Sequence, residues 1–267
     1  MSEFRLGMHY LHGGLGLEKD ASKAFIYLER AAKGGYPDAQ YLLGMMYRDG
    51  KVPLSSTRSL RQTSAEISKN KKEAFRWIRK AANQRMHTAI TQIASCYEDG
   101  IGTPVNYSSA TEYYEIATNI PGKYLPSAQQ TYARFLHKNG KYEKALEMYL
   151  YASGLERSPL NTHAPNATIA RTAKRMVALL YLDEKDTTTP YKPKKAFDLL
   201  TELASAPEGD ADAHYWIAVC HEEGVPGVVE SNLAKAFEHY VIAANLGSSD
   251  SQFQVFIFKI NIILIKN

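Results

Sequence analysis

Cysteine is scarce: the 267 residues contain only Cys96 and Cys220. That number rules out a disulfide-stapled scaffold. Long apolar runs are missing too. The most apolar stretch, SQFQVFIFKINIILIKN at the end, is broken by Lys259 and Asn261 and is too short to span a bilayer. The start, MSEFRLGMHYLHGG, has neither a charged n-region nor an apolar h-region, so it does not read as a secretory signal. Charge of one sign is also lacking. A net +4 from 32 basic and 28 acidic residues points to neither nucleic acid nor membrane.

Catalytic signatures are absent as well: there is no Gly-x-Ser-x-Gly, HExxH, Cys-x-x-Cys or phosphate loop. The glycines of HGGLGLEKD follow no strand and precede no Gly-Lys-Ser/Thr, so they read as a turn needing positive φ. His9 and His12 stand three apart with no third ligand for a metal. The sequence therefore predicts no enzyme, no metal and no cofactor.

What the chain has instead is repetition. Lys23 to Gly50, KAFIYLERAAKGGYPDAQYLLGMMYRDG, places Ala24, Leu28, Ala31 and Ala32 on one helical face, then Ala39, Leu43, Gly44 and Tyr47 on another. Between them GGYPD stops one helix and starts the next, with glycine as C-cap and proline pre-setting the entry. A single helical hairpin cannot bury its own apolar face and needs copies of itself. Taking the small residue of each first helix as a marker gives Ser2, Ala39, Ala89, Ala128, Ala173, Ala213 and Ser251. Five residues on stand Gly7, Gly44, Ala94, Ala133, Ala178 and Ala218, then Phe256. Eight on stand Tyr10, Tyr47, Tyr97, Leu136, Tyr181 and His221. The second helices repeat independently as KAFIYLERAA, EAFRWIRKAA, SATEYYEIAT, KALEMYLYAS, KAFDLLTELA and KAFEHYVIAA. Small residues let helix axes approach, and large ones fill the grooves beside them.

The pattern A-x3-L-G-x2-Y-x2-G followed by K-A-x2-W/Y-x3-A-A resembles the Sel1-like repeat, a longer relative of the tetratricopeptide repeat. The resemblance covers most of the chain and implies an all-α, right-handed α-solenoid of six hairpins and a partial seventh. Two units depart from it. The fourth turns through the short HKNGKYEKA, and the fifth has Glu184 where the loop glycine belongs. In such a stack Cys96 and Cys220 lie three repeats apart, beyond disulfide reach, and read as small core residues of a reduced, cytoplasmic protein.

The solenoid is expected over residues 1–252, with two interruptions. Between residues 51 and 72 an insertion carries six basic residues (Lys51, Arg58, Arg61, Lys69, Lys71, Lys72) and the single acid Glu66. It reads as a solvated loop, or as a docking arm switched by phosphate at Ser59, Thr63 or Ser64, where arginines precede hydroxyls. From 153 to 166 a proline- and glycine-containing stretch reads as an internal linker. Residues 253–267 read as a capping helix or an irregular, truncated end. The sequons at Asn106 and Asn166 are at chance frequency for this length.

The resemblance further implies an inner face built from positions two, six, nine and ten after each marker. The candidate partner-binding residues are Tyr41, Met45, Arg48, Arg134, His137, Lys138, Arg175 and Tyr215. Acids recur at the ends of first helices (Asp49, Glu98 with Asp99, Glu222 with Glu223), where they oppose the helix dipole. Backbone N–H groups of the following loops are their expected partners, ahead of a general acid/base pair. His221 and His239 occupy aromatic packing slots.

The expected function is thus a non-catalytic scaffold holding protein or peptide partners, with a regulator of the chitin-synthase type as one family precedent. The alternatives are the regulatory part of a larger polypeptide and a repeat-bearing hydrolase. Oligomeric state is not readable from the sequence.

Overall fold

The computed structural model describes residues 2–14, 16–51, 64–161 and 163–266. Among them are thirteen helices and no β-strand longer than an isolated bridge. They succeed one another as hairpins: α1 (Glu3–His12) with α2 (Ala21–Lys33), α3 (Pro37–Arg48) with α4 (Ser64–Asn83), and α5 (His87–Asp99) with α6 (Tyr107–Thr118). Next come α7 (Leu125–Lys138) with α8 (Tyr142–Ser153), α9 (Ala167–Leu182) with α10 (Pro193–Ala204), and α11 (Ala211–Glu223) with α12 (Leu233–Asn245). Helix α13 (Ser249–Lys266) opens a seventh. This is the all-α hairpin succession of an α-solenoid, and it divides into two compact units, Met1–Ala128 and Gln129–Asn267.

Local chemistry explains where the helices begin. Asp20, Asn106, Asn166, Asp210 and Asn232 each accept a hydrogen bond from a backbone N–H of the first turn they precede. Ser2, read as a packing marker, is exposed and does the same for α1 through the N–H of Arg5. In the GGYPD turn, Gly35 takes φ +91° and Pro37 opens α3. The buried Gln40 ties this turn down, donating to the Ala32 carbonyl while its own oxygen accepts from Gln84 in the turn that follows α4. After α9 there is no glycine turn: Asp183 accepts from the N–H groups of Lys185 and Asp186, an Asx-turn in place of positive φ.

Packing follows the double register. Markers Ala39, Ala89, Ala128, Ala173, Ala213 and Ser251 are buried, and so are the second-helix alanines Ala24, Ala74, Ala110, Ala145, Ala196 and Ala236. In the first unit Leu28, Leu43, Met46 and Trp77 form one cluster, and Ile78, Ile90, Ile93 and Cys96 another. Gly44 is where α3 and α4 meet. A Cβ there would lie 2.6 Å from Ile78 Cγ1 and 3.1 Å from the Ala74 carbonyl oxygen. In the second unit Ala218, Ala236 and Tyr240 are covered by Val255 and Phe258 of α13.

One stretch differs from the sequence reading, and for another, one of its two alternatives holds. The segment read as an insertion to residue 72 is already helical from Ser64, so α4 runs 20 residues against 12 or 13 for the other second helices. Of the two alternatives for the final run, the structure has the helix, which extends to Lys266 and packs one face on the α12 cluster.

Candidate protein-binding face

On α3, α5, α7, α9 and α11, positions zero, four, five and seven after the marker point into the core. Positions two, six and nine fall together on a narrow stripe at about 180–240° around the helix from the marker. In the first unit this stripe holds Phe4, Met8 and Leu11 on α1, Tyr41, Met45 and Arg48 on α3, and Thr91, Ser95 and Glu98 on α5, all half-buried. Tyr41 and Met45 rest against the cluster containing Ile78 and Ile93, and burial pushes the Tyr41 phenol up from its ordinary value. Phe4 lies 4.6 Å from the ring of Tyr36, which is itself exposed. Arg48 closes the strip, its Nε donating to Asp49 Oδ1 at 3.0 Å. The result is a methionine- and tyrosine-bearing strip whose side chains are only partly covered by the chain itself.

The second unit treats its candidates differently. Arg134 and Lys138 are exposed on α7, while His137 lies edge-on to Tyr142 and Tyr149 at 5.3 and 6.5 Å. Arg175 is committed internally. Its Nη1 donates to both oxygens of Asp210 at 2.9 and 3.0 Å, and its Nη2 lies 3.0 Å from Asp212. Asp210 also caps α11 through the N–H of Ala213, so Arg175 joins the fifth hairpin to the sixth. Tyr215 is half-buried against the α11–α12 cluster, edge-on to Trp216 at 5.3 Å and tilted against Tyr240 at 5.7 Å. Tyr41, Met45 and Arg48 are therefore brought together on α3, and Arg134, His137 and Lys138 on α7, whereas Arg175 is held by Asp210 and Asp212 and Tyr215 lies apart on α11. Of the phosphorylation candidates, Ser59 and Thr63 lie outside the described residues; Ser64 is the first residue of α4.

The helix-end carboxylates find partners other than the loop amides. Tyr114 Oη donates to Glu98 Oε2 at 2.9 Å, and Tyr240 Oη donates to Glu222 Oε2 at 2.6 Å. Both tyrosines sit four residues after a second-helix alanine, and both glutamates nine after a marker, so the geometry is one repeat device used twice. Burial, with Glu222 beside it, pushes the Tyr240 phenol far up. Each carboxylate thus serves a buried hydroxyl and not a second acid. The thiols of Cys96 and Cys220 are both free and are pushed up to about 11 by burial, unsuited to nucleophilic chemistry.

One titratable cluster was invisible as a cluster in the sequence. His214 Nδ1 and His239 Nδ1 are 3.0 Å apart, and the ring of His221 stacks on that of His239 at 5.8 Å. Burial lowers all three imidazoles from their ordinary value. One of the two Nδ1 atoms donates and the other accepts, according to the tautomers of the pair. Among the described residues no group of three His, Cys, Asp or Glu is placed to hold a metal ion, and no helix is long and apolar enough to cross a membrane.

The family model for the Sel1 repeat matches residues 1–36, 37–61, 60–85, 87–119 and 211–248. The chain belongs to the Sel1 repeat family. The unmatched stretch from 120 to 210 contains the two units whose turns depart from the Sel1 pattern, the HKNG hairpin and the Asx-turned fifth. Among solved structures, a Sel1 repeat protein from Oxalobacter formigenes superposes with a TM-score of 0.61 at 22% identity, over 91% of this chain and 86% of that one. The c5321 protective antigen of uropathogenic Escherichia coli, which displays an SLR fold, gives 0.51 at 22% identity over 95% and 55%. Those likenesses bear on the fold. In sequence, chitin synthase regulatory factor 3 of Schizosaccharomyces pombe is 28% identical over 113 residues, 42% of this chain and 11% of that protein. The match therefore spans a small part of that relative's length.

Proposed function

We propose that this Sel1 repeat chain is a non-catalytic scaffold that holds an extended peptide of a partner protein along the first-helix stripe of its first unit. The observation that carries the reading is the half-buried strip of Phe4, Met8, Tyr41 and Met45, ended by Arg48. Methionine and tyrosine present adaptable apolar surface with a polar tip, the combination that accepts a peptide side chain without demanding one shape. A regulatory role within a larger assembly is supported by the likeness to a chitin synthase regulatory factor, and a cytoplasmic setting by the two free, buried thiols.

The test is affinity capture with the intact chain and with a Met45→Asp/Arg48→Glu variant, alongside thermal melts of both. Loss of specific captured chains with the melt preserved supports the strip as the docking face. An unchanged set of captured chains refutes it.

A further inference from the structure

We infer that the outward face of α4 is a second docking surface, distinct from the first-helix stripe, and that it takes an acidic peptide segment. Lys69, Lys72, Arg76, Arg79 and Lys80 stand at spacings of three, four, three and one residue. At 100° per residue these five fall within an arc of about 100° with no acidic residue inside it. All five are exposed. The arc lies opposite Ala74, Trp77, Ile78 and Ala81, which are buried, so the five cations form the ridge farthest from the core.

The same three outward positions distinguish α4 from every other second helix. Arg76, Arg79 and Lys80 correspond to Ile26, Glu29 and Arg30 in α2, and to Glu112, Glu115 and Ile116 in α6. They correspond to Glu147, Leu150 and Tyr151 in α8, Asp198, Thr201 and Glu202 in α10, and Glu238, Val241 and Ile242 in α12. No other second helix places more than one cation there. The repeat fold does not require this row, since five other copies pack without it.

Two of the cations are pre-positioned. The Arg76 guanidinium carbon and the Lys80 ammonium lie 4.8 and 4.4 Å from the centroid of the Trp77 ring and cover it, leaving the indole 3% exposed. Arg76 is also fixed by Glu73, at 2.6 Å. Among the described residues Lys69, Lys72, Arg79 and Lys80 form no ion pair, so their charge faces outward uncompensated. Ordering these long side chains before binding lowers the entropy lost on contact.

The chemistry of the face selects the class of partner. From Lys69 to Lys80 the helix rises about 16 Å, the reach of about five residues of extended chain, whose alternate carboxylates fall at about 6–7 Å intervals. Single-stranded nucleic acid needs exposed rings for base stacking, and the one ring here is covered. A bilayer surface needs an apolar edge to enter the headgroup region, and no large apolar side chain lies within the arc. An acidic peptide needs only the row of cations.

The experiment uses a fluorescein-labelled ten-residue polyglutamate peptide and anisotropy titration of the full chain at low and physiological salt. Two triple variants are compared: Lys69→Glu/Lys72→Glu/Arg79→Glu, and, as a control of identical net charge, Lys19→Glu/Lys185→Glu/Lys194→Glu at exposed sites elsewhere. The expected result is saturable binding that weakens with salt, by more than about tenfold in the α4 variant and little in the control. Emission of Trp77, read in a Trp216→Phe background, should change on binding in the same concentration range. Equal loss in both variants would reduce the effect to net charge and overturn the proposal. So would the absence of saturable binding. Tighter binding to a ten-residue oligouridylate, or to phosphatidylserine vesicles, with the same dependence on α4 would replace the acidic peptide by another class of partner.

Discussion

The sharpest test of the packing register is Gly44. A Cβ built there meets Ile78 Cγ1 at 2.6 Å, the Ala74 carbonyl oxygen at 3.1 Å and the Ile78 backbone nitrogen at 3.1 Å. Two of those three atoms belong to the backbone of α4, so rotating one side chain cannot relieve the contact; the helices must separate by several tenths of an ångström. Gly44→Ala gains about 1 kcal/mol of helix propensity and loses about 1–3 kcal/mol to overpacking, for a net change between neutral and about 2 kcal/mol destabilising. Gly44→Leu adds three more carbons at a site with no void and should cost more than about 3 kcal/mol. A double-mutant cycle isolates the cause. Ile78→Ala alone should cost about 2–4 kcal/mol through its cavity, but it removes the nearest clashing atom. Gly44→Ala/Ile78→Ala should therefore be more stable than the sum of the single changes by about 1 kcal/mol. Urea denaturation followed by far-ultraviolet circular dichroism, with the slopes compared to confirm a common transition, gives these values. If Gly44→Ala stabilises by its full propensity gain and adds independently to Ile78→Ala, α3 and α4 do not meet at this residue.

Tyr240→Phe removes the hydroxyl that Glu222 accepts from and should lower stability by about 1.5–3 kcal/mol; denaturation midpoints check it, and an unchanged midpoint would mean that water replaces the phenol without loss. Arg175→Met leaves the buried Asp210 carboxylate without its cation and should cost about 2 kcal/mol or more, read in the same assay. Acidification should also weaken the sixth hairpin. His214, His221 and His239 are held below the ordinary imidazole value by burial first, with His239 further disfavoured by its two histidine neighbours and Lys235, against the opposing pull of Asp210 and Glu238. The unfolded chain therefore binds protons first, so this stabilisation is fully present above about pH 6.5 and is lost progressively as pH falls below it. Melting temperatures of wild type and His239→Gln from pH 7.5 to 5 test the assignment, the variant being expected to show the flatter profile.

The parts of this structure that were legible in the sequence are those set by residues close along the chain. The alternation of small and large residues at fixed spacing names the buried face of a helix before any partner helix is known, and so the alanine markers fall in the core. Caps and glycine turns are equally local. One misread stretch and one left open show where that logic stops. Residues 64–72 carry polar, basic side chains and no hydrophobic stripe of their own, so they read as loop; as the leading turns of α4 they continue a helix already fixed downstream by Ala74, Trp77 and Ile78. Propagating a formed helix is far easier than nucleating one. The last run is β-branched and lacks repeat markers beyond Ser251, yet α12 offers it an apolar surface, and packing overrides propensity.

The candidate site was less legible because its residues are sorted by contacts that cross from one helix to another. Arg134 and Arg175 occupy positions six and two of the same stripe and look alike as free cations. What separates them is Asp210, 35 residues beyond Arg175, which the sequence shows only as a helix cap. The glutamates at position nine look like misplaced acids until the tyrosine of the following helix is seen to reach them. That pairing does leave a trace in the chain. Position nine and the second-helix residue four after its alanine read Glu98 with Tyr114 and Glu222 with Tyr240 in the third and sixth hairpins, but Leu11 with Leu28, Arg48 with Ile78, His137 with Tyr149 and Leu182 with Leu200 in the others. Two of the six copies therefore pair a carboxylate with a tyrosine. A buried phenol needs an acceptor and a half-buried carboxylate needs a donor, so in those two hairpins each residue of the pair satisfies the other. In the third and sixth hairpins position nine therefore belongs to the fold and is withdrawn from the binding stripe. Positions two and six carry Tyr41 and Met45 in the second hairpin, and with Arg48 these make α3 the helix at the centre of the proposed docking strip.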